Sequence, residues 1–356
     1  MKKLLVLALI LPLVLSCSAV FGQTDKQTAH DKGMKAIQLE DEGKLDEALN
    51  LLGESHKLDP GNSAYPYEST YIYYSQKLYA KVIAILDTLK DKPDSFDRLY
   101  ELLGNSYDEN GQGAKAVAIY EEGLKKFPKS GPLYLERGVM SYGDKKYNEA
   151  LGYFEKGLEV DPKFPSNYYW AAKLFCNSED PMWGLIYGEI FINLERNSTR
   201  TQEISKLLYD TYKSHIKFDG NKTTSTLSKN AVINVNGDDK IKLPYSTIYE
   251  PSVLLALGAE KQIDLNSLDR IRQRFVPFYM EKFQKDYPNS LFAYQDKVLK
   301  AGHMAAYNHW LLMEGDENAF DAWQAANKSK WNNFIKWFTD NQMTPDDSDH
   351  FYRAQY

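Results

Sequence analysis

The chain has little cysteine, no excess of basic residues and no long apolar run after its first residues. Its 356 residues include two cysteines, Cys17 and Cys176, too few for a framework of several disulfides. The formal net charge is −6, and no basic cluster occurs, so we expect no nucleic-acid partner. Beyond the N-terminal segment no 18 consecutive apolar residues occur, which predicts no transmembrane helix.

Motifs that mark catalytic and metal sites are also missing. The sequence contains no nucleophile elbow, phosphate-binding loop or dinucleotide fingerprint, and no H-E-x-x-H or C-x-x-C spacing. His303 and His309 are six residues apart and would not share one face of a helix. We therefore predict no catalytic residues, no cofactor and no metal ligands, and we interpret Asp346–His350 as a solvated acidic tail.

Residues 1–22 are typical of a secretory signal. Lys2 and Lys3 supply a positive start, and Leu4 to Leu15 form an apolar stretch that is short for a membrane span. Small residues follow, as expected near a cleavage site. The pattern predicts an exported protein.

Two processing routes remain open and give different locations. Cleavage after Gly22 would release a periplasmic or extracellular chain that begins at Gln23. The run Val14-Leu15-Ser16-Cys17 resembles a bacterial lipobox, which would make Cys17 a lipidation site and the protein an outer-membrane lipoprotein. Such an anchor is the sole membrane contact that we predict.

A repeat with a period of 34 residues occupies the N-terminal half. Small or branched residues recur at Ala48, Val82, Ala116, Ala150 and Gly184. Four residues after each of them come Leu52, Leu86, Tyr120, Phe154 and Gly188. Twelve residues before each are Ala36, Thr70, Gly104, Gly138 and Ala172. A fixed period of this length predicts stacked structural repeats.

Each repeat is predicted to be a pair of antiparallel helices. A small residue in each helix lets the two backbones approach, and the large residue one turn later fills the adjacent space. In the third repeat we place the helices at about Asp97–Glu109 and Ala114–Phe127, with a turn at Asn110–Gly113. Pro128 ends the second helix because proline has no N–H to donate.

Over residues 29–198 this pattern resembles the tetratricopeptide repeat (TPR) family. The resemblance implies five helical hairpins in a right-handed superhelix, and a concave groove lined by the first helix of each hairpin. Carried over to this chain, the implied groove positions are Tyr67, Tyr71, Tyr74, Glu101, Asn105, Asp108, Leu135, Val139, Tyr142, Tyr169, Trp170 and Lys173. They would form an aromatic surface with an acidic patch, although packing of these rings between hairpins is the open alternative.

The second half has no family resemblance. Residues 199–246 are predicted to hold a capping helix near Ser205–Ile216, a polar linker over Phe218–Lys229 and a β-hairpin over Ala231–Leu243, turned at Asn236-Gly237. Residues 247–356 are predicted to form a helical domain, with helices near Tyr249–Lys261, Leu265–Asp286, Leu291–Glu314 and Ala319–Asn341. The fold class is thus all-α with one β-hairpin.

These features favour a non-catalytic interaction scaffold. Its domains would be a signal (1–22), a TPR-like solenoid (23–198), a connecting region (199–246) and a helical domain (247–356). The predicted partner is a protein or peptide, and the oligomeric state is not predicted. Two alternatives stay open: a carbohydrate- or nutrient-binding protein that uses Trp310, Trp323, Trp331 and Trp337, and an enzyme whose carboxylates lie in the C-terminal half.

Overall fold

The computed structural model describes residues 11–220, 222–228, 243–345 and 350–356, with side chains from residue 23 onwards. The predicted hairpin around Asn236-Gly237, the acidic residues 346–349 and the side chain of Cys17 lie outside the described part. The chain divides into two compact units, one ending at Pro128 and one beginning at Lys129. Among the described residues, no helix is both long and apolar enough to cross a membrane.

Unit 1 consists of three helical hairpins. The helices are α1 (Leu11–Asp41), α2 (Leu45–Leu58), α3 (Ala64–Ser75), α4 (Tyr79–Leu89), α5 (Asp97–Glu109) and α6 (Gly113–Lys126). The repeating small and large positions lie in the core, as Ala36, Ala48 and Leu52 show in the first hairpin. The helix bounds predicted for the third hairpin match α5 and differ from α6 by one residue at each end.

The turn inside each of the first four hairpins uses one left-handed residue. Gly43, Lys77, Gly111 and Lys145 have φ angles of 75°, 60°, 74° and 61°, and they follow one another at the 34-residue period. Glycine adopts this conformation at no steric cost, whereas lysine is strained in it. The backbone therefore repeats with the period found in the sequence, even where the glycine is missing.

In the third and fourth hairpins the small residue of the first helix accommodates a ring from the second helix. A Cβ atom added at Gly104 would lie 2.1 Å from Tyr120 Cε1, and one added at Gly138 would lie 2.4 Å from Phe154 Cε1. No side chain fits in either space. The predicted pairing of a small residue with a large ring across the hairpin is thereby confirmed.

Unit 2 begins with two further hairpins and continues into the helical second half. Its helices are α7 (Gly131–Gly143), α8 (Tyr147–Val160), α9 (Pro165–Cys176), α10 (Pro181–Leu194), α11 (Thr199–His215), α12 (Ser246–Leu257), α13 (Leu265–Lys282), α14 (Ser290–Lys300), α15 (Met304–Leu312), α16 (Glu317–Ala326) and α17 (Lys328–Asp340). One hydrophobic core includes residues from Ala150 to Phe351. The all-α prediction with five hairpins is confirmed.

The β-hairpin in the described part is not at the predicted position. Strands β1 (Ile216–Asp219) and β2 (Lys222–Ser225) pair antiparallel, with Ile216 opposite Ser225. We predicted most of this segment as a polar linker, which was wrong. The alternation is hidden because β2 is polar throughout and largely exposed, and Gly220, at φ 59°, supplies the turn.

Two predicted helices are each divided in the structure. The helix predicted over Leu291–Glu314 is interrupted at Gly302, whose φ of 77° ends α14 in a left-handed cap. The helix predicted over Ala319–Asn341 is interrupted at Asn327, whose side-chain amide donates to the carbonyl of Trp323 at 2.9 Å. Apolar periodicity continues through both breaks, so it could not reveal them.

A buried polar network connects α10 with the second half of unit 2. The Glu189 carboxylate on α10 accepts hydrogen bonds from Arg272 on α13 at 2.6 Å, Gln295 on α14 at 2.7 Å and Tyr307 on α15 at 2.7 Å. Arg272 also donates to Asn308 at 2.7 Å. A buried ion pair is stable where hydrogen bonds satisfy its remaining polar atoms, as here.

Candidate partner-binding surfaces

The first helices of unit 1 present apolar side chains to solvent. Met34 and Ile37 on α1 are 55% and 38% exposed, and Tyr71 on α3 is 37% exposed. Met34 and Ile37 are three residues apart and share a face of α1, while Ile37 and Tyr71 hold equivalent positions in successive repeats. We call these three residues, together with Glu40, Glu68 and Glu101, the unit 1 face.

Tyr71 is held in place by a buried neighbour. The phenol oxygens of Tyr67 and Tyr71 are 2.6 Å apart, and the two rings meet edge to face with centroids 5.2 Å apart. The Tyr67 ring is also edge to face with Phe96 at 4.7 Å. Tyr67 is therefore a packing residue that positions Tyr71, and Tyr71 is the one that solvent reaches.

Three half-buried carboxylates belong to the same face. Burial raises the pKa of Glu101, although Arg98, 3.5 Å away, acts in the opposite direction. Burial and then the charge of Glu40 raise the pKa of Glu68. The pKa of Glu40 is raised by its own burial and by Asp41. Among the described residues these carboxylates have lost water and gained only the distant partner Arg98.

Of the other predicted groove residues of unit 1, two contact aromatic rings, and the third, Asp108, lies on α5 seven residues after Glu101. Tyr74 packs edge to face on Tyr79 with centroids 5.2 Å apart. Asn105 accepts a hydrogen bond from the phenol of Tyr120, which fixes a core ring. Asp108 is exposed.

Unit 2 contains a cavity beside the predicted groove residues. Its volume is about 320 Å³, and its walls come from the end of α7, from α8 and α9, and from the two residues that follow α9. The lining residues are Tyr142, Tyr147, Asn148, Leu151, Lys173, Leu174, Asn177 and Ser178. We call it the unit 2 cavity. Aromatic and aliphatic walls with a few amides at the rim are typical of sites that bind an apolar group.

Trp170 fixes one wall of the unit 2 cavity from behind. Its ring stacks on buried Phe154 with centroids 5.8 Å apart and an interplanar angle of 15°. It also contacts Tyr142 at 4.8 Å and Tyr169 at 5.6 Å. Tyr142 in turn contacts Tyr147 at 5.4 Å. The chain of rings holds Tyr142 rigidly at the cavity wall.

Lys173 lines the unit 2 cavity with its charge already paired. Its Nζ atom lies 2.7 Å from the Glu203 carboxylate and donates to the Tyr169 phenol at 3.1 Å. Burial acts to lower the pKa of Lys173, but the hydrogen bonds of Glu203 and Tyr169 outweigh it and raise the pKa. The cavity is therefore close to neutral and does not select an anionic ligand.

The structure thus assigns the predicted residues to different roles. Tyr71 and Glu101 lie on the unit 1 face, and Tyr142 and Lys173 line the unit 2 cavity. Tyr67, Tyr169 and Trp170 support these surfaces, and Leu135 and Val139 pack against the core of unit 2. Sequence reasoning missed Met34, and it missed Tyr147, Asn148 and Leu151 because only first-helix positions were carried over. The sequence contains one signal for Tyr147. Tyr79 stands two repeat periods, or 68 residues, earlier, and each tyrosine is the first residue of the second helix in its hairpin.

The tryptophans of the second half do not present open faces for sugar rings. Trp310 is buried, and His309 stacks on Trp323 with centroids 4.2 Å apart. Trp331 packs on Phe320 at 5.3 Å and Trp337 on His303 at 5.2 Å. The arrangement does not favour carbohydrate binding by these residues.

The buried Glu189 carboxylate on α10 belongs to a structural network with residues of the second half. The cavity beside Glu189 and Arg272 is about 20 Å³, enough for one water molecule. Within the described residues, no group of His, Cys, Asp and Glu is arranged to hold a metal ion. This geometry offers no room for a substrate at the buried network.

Comparisons with known proteins give similarity in structure. No protein-family model matches the chain, and no curated protein sequence matches it. Among similar solved structures, a thermophilic TPR protein from Thermus thermophilus is 16% identical with a TM-score of 0.42, covering 51% of this chain and 98% of that one. YrrB, a TPR protein with an unusual peptide-binding site, is 17% identical with a TM-score of 0.35, covering 50% and 92%. PilF of Pseudomonas aeruginosa is 15% identical with a TM-score of 0.46, covering 54% and 86%.

Proposed function

We propose that this protein is a non-catalytic interaction scaffold that binds a peptide segment of a partner protein. The observation that carries the proposal is the unit 2 cavity, whose rigid wall includes Tyr142 and whose lining is close to neutral. Its volume of about 320 Å³ is at the lower end of ligand-binding pockets. That size suits an anchoring side chain with its adjoining backbone better than a large cofactor.

The rim of the unit 2 cavity supports a peptide as the occupant. Asn148 and Asn177 are exposed at the rim, and an asparagine amide both donates and accepts hydrogen bonds. A bound peptide backbone needs both kinds of partner when it leaves water. Tyr142, Leu151 and Leu174 would bury the anchoring side chain, as aromatic and aliphatic pockets do at binding hot spots.

The location belongs to the same proposal. The N-terminal pattern of residues 1–22 supports export, with release after Gly22 or lipidation at Cys17 as the two routes. We place the scaffold in the cell envelope or outside the cell, where it would hold a protein partner through its hairpins.

A peptide selection tests the proposed function. We would select 12-residue peptides from a random displayed library on the whole chain and measure affinities by fluorescence anisotropy. We expect peptides that share one large apolar residue. Tyr142→Ala should weaken binding at least about tenfold, because truncating a hot-spot ring costs about 2 kcal/mol or more.

Two further variants make this result decisive. Asn148→Trp places a large ring at the cavity mouth at an exposed site and should abolish binding while the melting temperature stays unchanged. Ile335→Ala removes an exposed apolar side chain that does not line the cavity, and should bind like the unaltered chain. Peptides that bind Asn148→Trp at full affinity would overturn the proposed site.

A further inference from the structure

We infer that the unit 1 face docks a second kind of segment, one in which a lysine or arginine lies close to a large apolar residue. The occupant is a segment of a partner protein. The inference deepens the proposed scaffold function, on which it rests, because it names the chemistry of a partner at the other compact unit.

The apolar part of the unit 1 face requires an apolar contact. Met34, Ile37 and Tyr71 are all more than one third exposed, although neighbouring residues such as Ala36 and Ile72 are fully buried in the core of the same hairpins. Single exposed apolar residues are common, but a grouped set next to polar residues is typical of an interaction surface. Tyr71 is also rigid through its hydrogen bond to Tyr67, which lowers the entropy cost of binding.

The charge of the unit 1 face selects a cation. Glu40, Glu68 and Glu101 are half-buried, and within the described residues the cation that pairs with one of them is Arg98, 3.5 Å from Glu101. Lysines elsewhere in unit 1 pair more closely with other acids, as Lys32 does with Glu54 at 2.5 Å. A lysine or arginine from a partner would stabilise the charged carboxylates in place of the water that burial has removed. A phosphorylated or acidic segment would be repelled.

The raised pKa values of Glu68 and Glu101 agree with this geometry. Both carboxylates are harder to ionise in the free protein, and a bound cation would favour their charged form. Acidic and apolar side chains lie side by side on this face. A bound segment must therefore place its basic residues opposite the acids and its apolar residues opposite the apolar side chains. The face therefore fits a segment in which basic and apolar residues are close together.

The experiment uses the full chain and two synthetic peptides of equal length. One contains arginine and leucine at alternating spacings, and its partner has each arginine replaced by citrulline, which keeps the shape and removes the charge. We expect the charged peptide to bind at least tenfold more tightly at 50 mM salt. The difference should shrink as the salt concentration rises.

Variants assign the binding to the unit 1 face. Glu68→Gln with Glu101→Gln should weaken the arginine peptide at least tenfold, and Met34→Ser with Ile37→Ser should weaken both peptides. Glu47→Gln is the matched control, because Glu47 is exposed on a second helix of the same unit and should bind as before. Removing buried charge should not unfold the glutamine variant, and a thermal melt checks this.

Several outcomes would overturn the inference. Equal binding of the arginine and citrulline peptides would remove the cationic requirement. A concentration-dependent dimer that Met34→Ser abolishes would make a second copy of the chain the occupant. If the glutamine variant binds normally while Asn148→Trp loses the arginine peptide, the inference fails and the proposed function stands. If neither variant affects any selected peptide, both fail.

Discussion

At the scale of single residues, the carboxylates of unit 1 are informative because burial makes their charged form unfavourable. Glu101 occupies a groove position that the family resemblance implies, and Glu68 is next to Tyr67, which occupies another. The sequence could show that acids lie near a groove, but it could not show how much water each has lost. That depends on side chains brought together from α1, α3 and α5.

The titration of these carboxylates yields a prediction about stability. Their pKa is raised in the folded chain, above about 4.3 for an unfolded glutamate, so the folded chain binds protons more readily. The cost to stability is full above the folded pKa and disappears as the pH falls below the unfolded value. We expect Glu68→Gln with Glu101→Gln to be more stable than the unaltered chain at pH 7, with the gap closing towards pH 4.

Urea denaturation at several pH values measures this gap. Glu47→Gln again serves as the control, because Glu47 is exposed on α2, and this variant should show no such gain in stability. A gap that stays constant from pH 7 to pH 4 would show that the glutamine variant acts through packing rather than through titration.

At the scale of secondary-structure elements, the hairpins were predictable and their connections in the second half were not. The 34-residue period placed α5 at its observed bounds because small residues, rings and Pro128 all mark the same hairpin. The same reasoning failed at Gly302 and Asn327, where local caps interrupt a continuous apolar stripe. It also failed at β1 and β2, because a short polar strand has no alternation to detect.

The left-handed turns give a prediction at this scale. Gly111 has a φ of 74°, and a Cβ atom there would meet nothing within 4 Å. Gly111→Ala should therefore cost about 1 kcal/mol through backbone strain alone. Gly53 also has open space but lies inside α2 with an ordinary backbone, so Gly53→Ala should stabilise by about 1 kcal/mol.

Urea midpoints of the two variants, compared with the unaltered chain, check this prediction. The shifts should have opposite signs although the chemical change is identical. Shifts of the same sign would show that the turn at Gly111 can relax to a conformation that alanine accepts.

At the scale of the whole molecule, the informative feature is the network around Glu189. Its members on α10, α13, α14 and α15 are up to 118 residues apart in the chain. No local pattern in the sequence could pair Glu189 with Arg272. The domain boundaries predicted from the sequence mark where the repeat register ends, whereas the core of unit 2 includes residues on both sides of residue 198.

A double-mutant cycle measures how strongly this network stabilises unit 2. Arg272→Met leaves the Glu189 carboxylate buried with neutral donors, and we expect a loss of about 3–5 kcal/mol. Glu189→Gln with Arg272→Met should cost less stability than the sum of the two single changes. In the double variant no charged side chain is left buried without its partner. Additive losses in urea denaturation would show that the two side chains do not stabilise each other.

The same network limits how this protein can be rebuilt. Repeat arrays are usually treated as interchangeable parts, from which hairpins are removed, duplicated or moved into another chain. The fifth hairpin here has a charged side chain on α10 whose partners are all supplied by later helices. The fifth hairpin therefore has to be the last repeat of the array, directly before the helices that supply these partners. An engineer who lengthens the array would have to insert new hairpins before it, and one who transplants it would have to take the helical half as well.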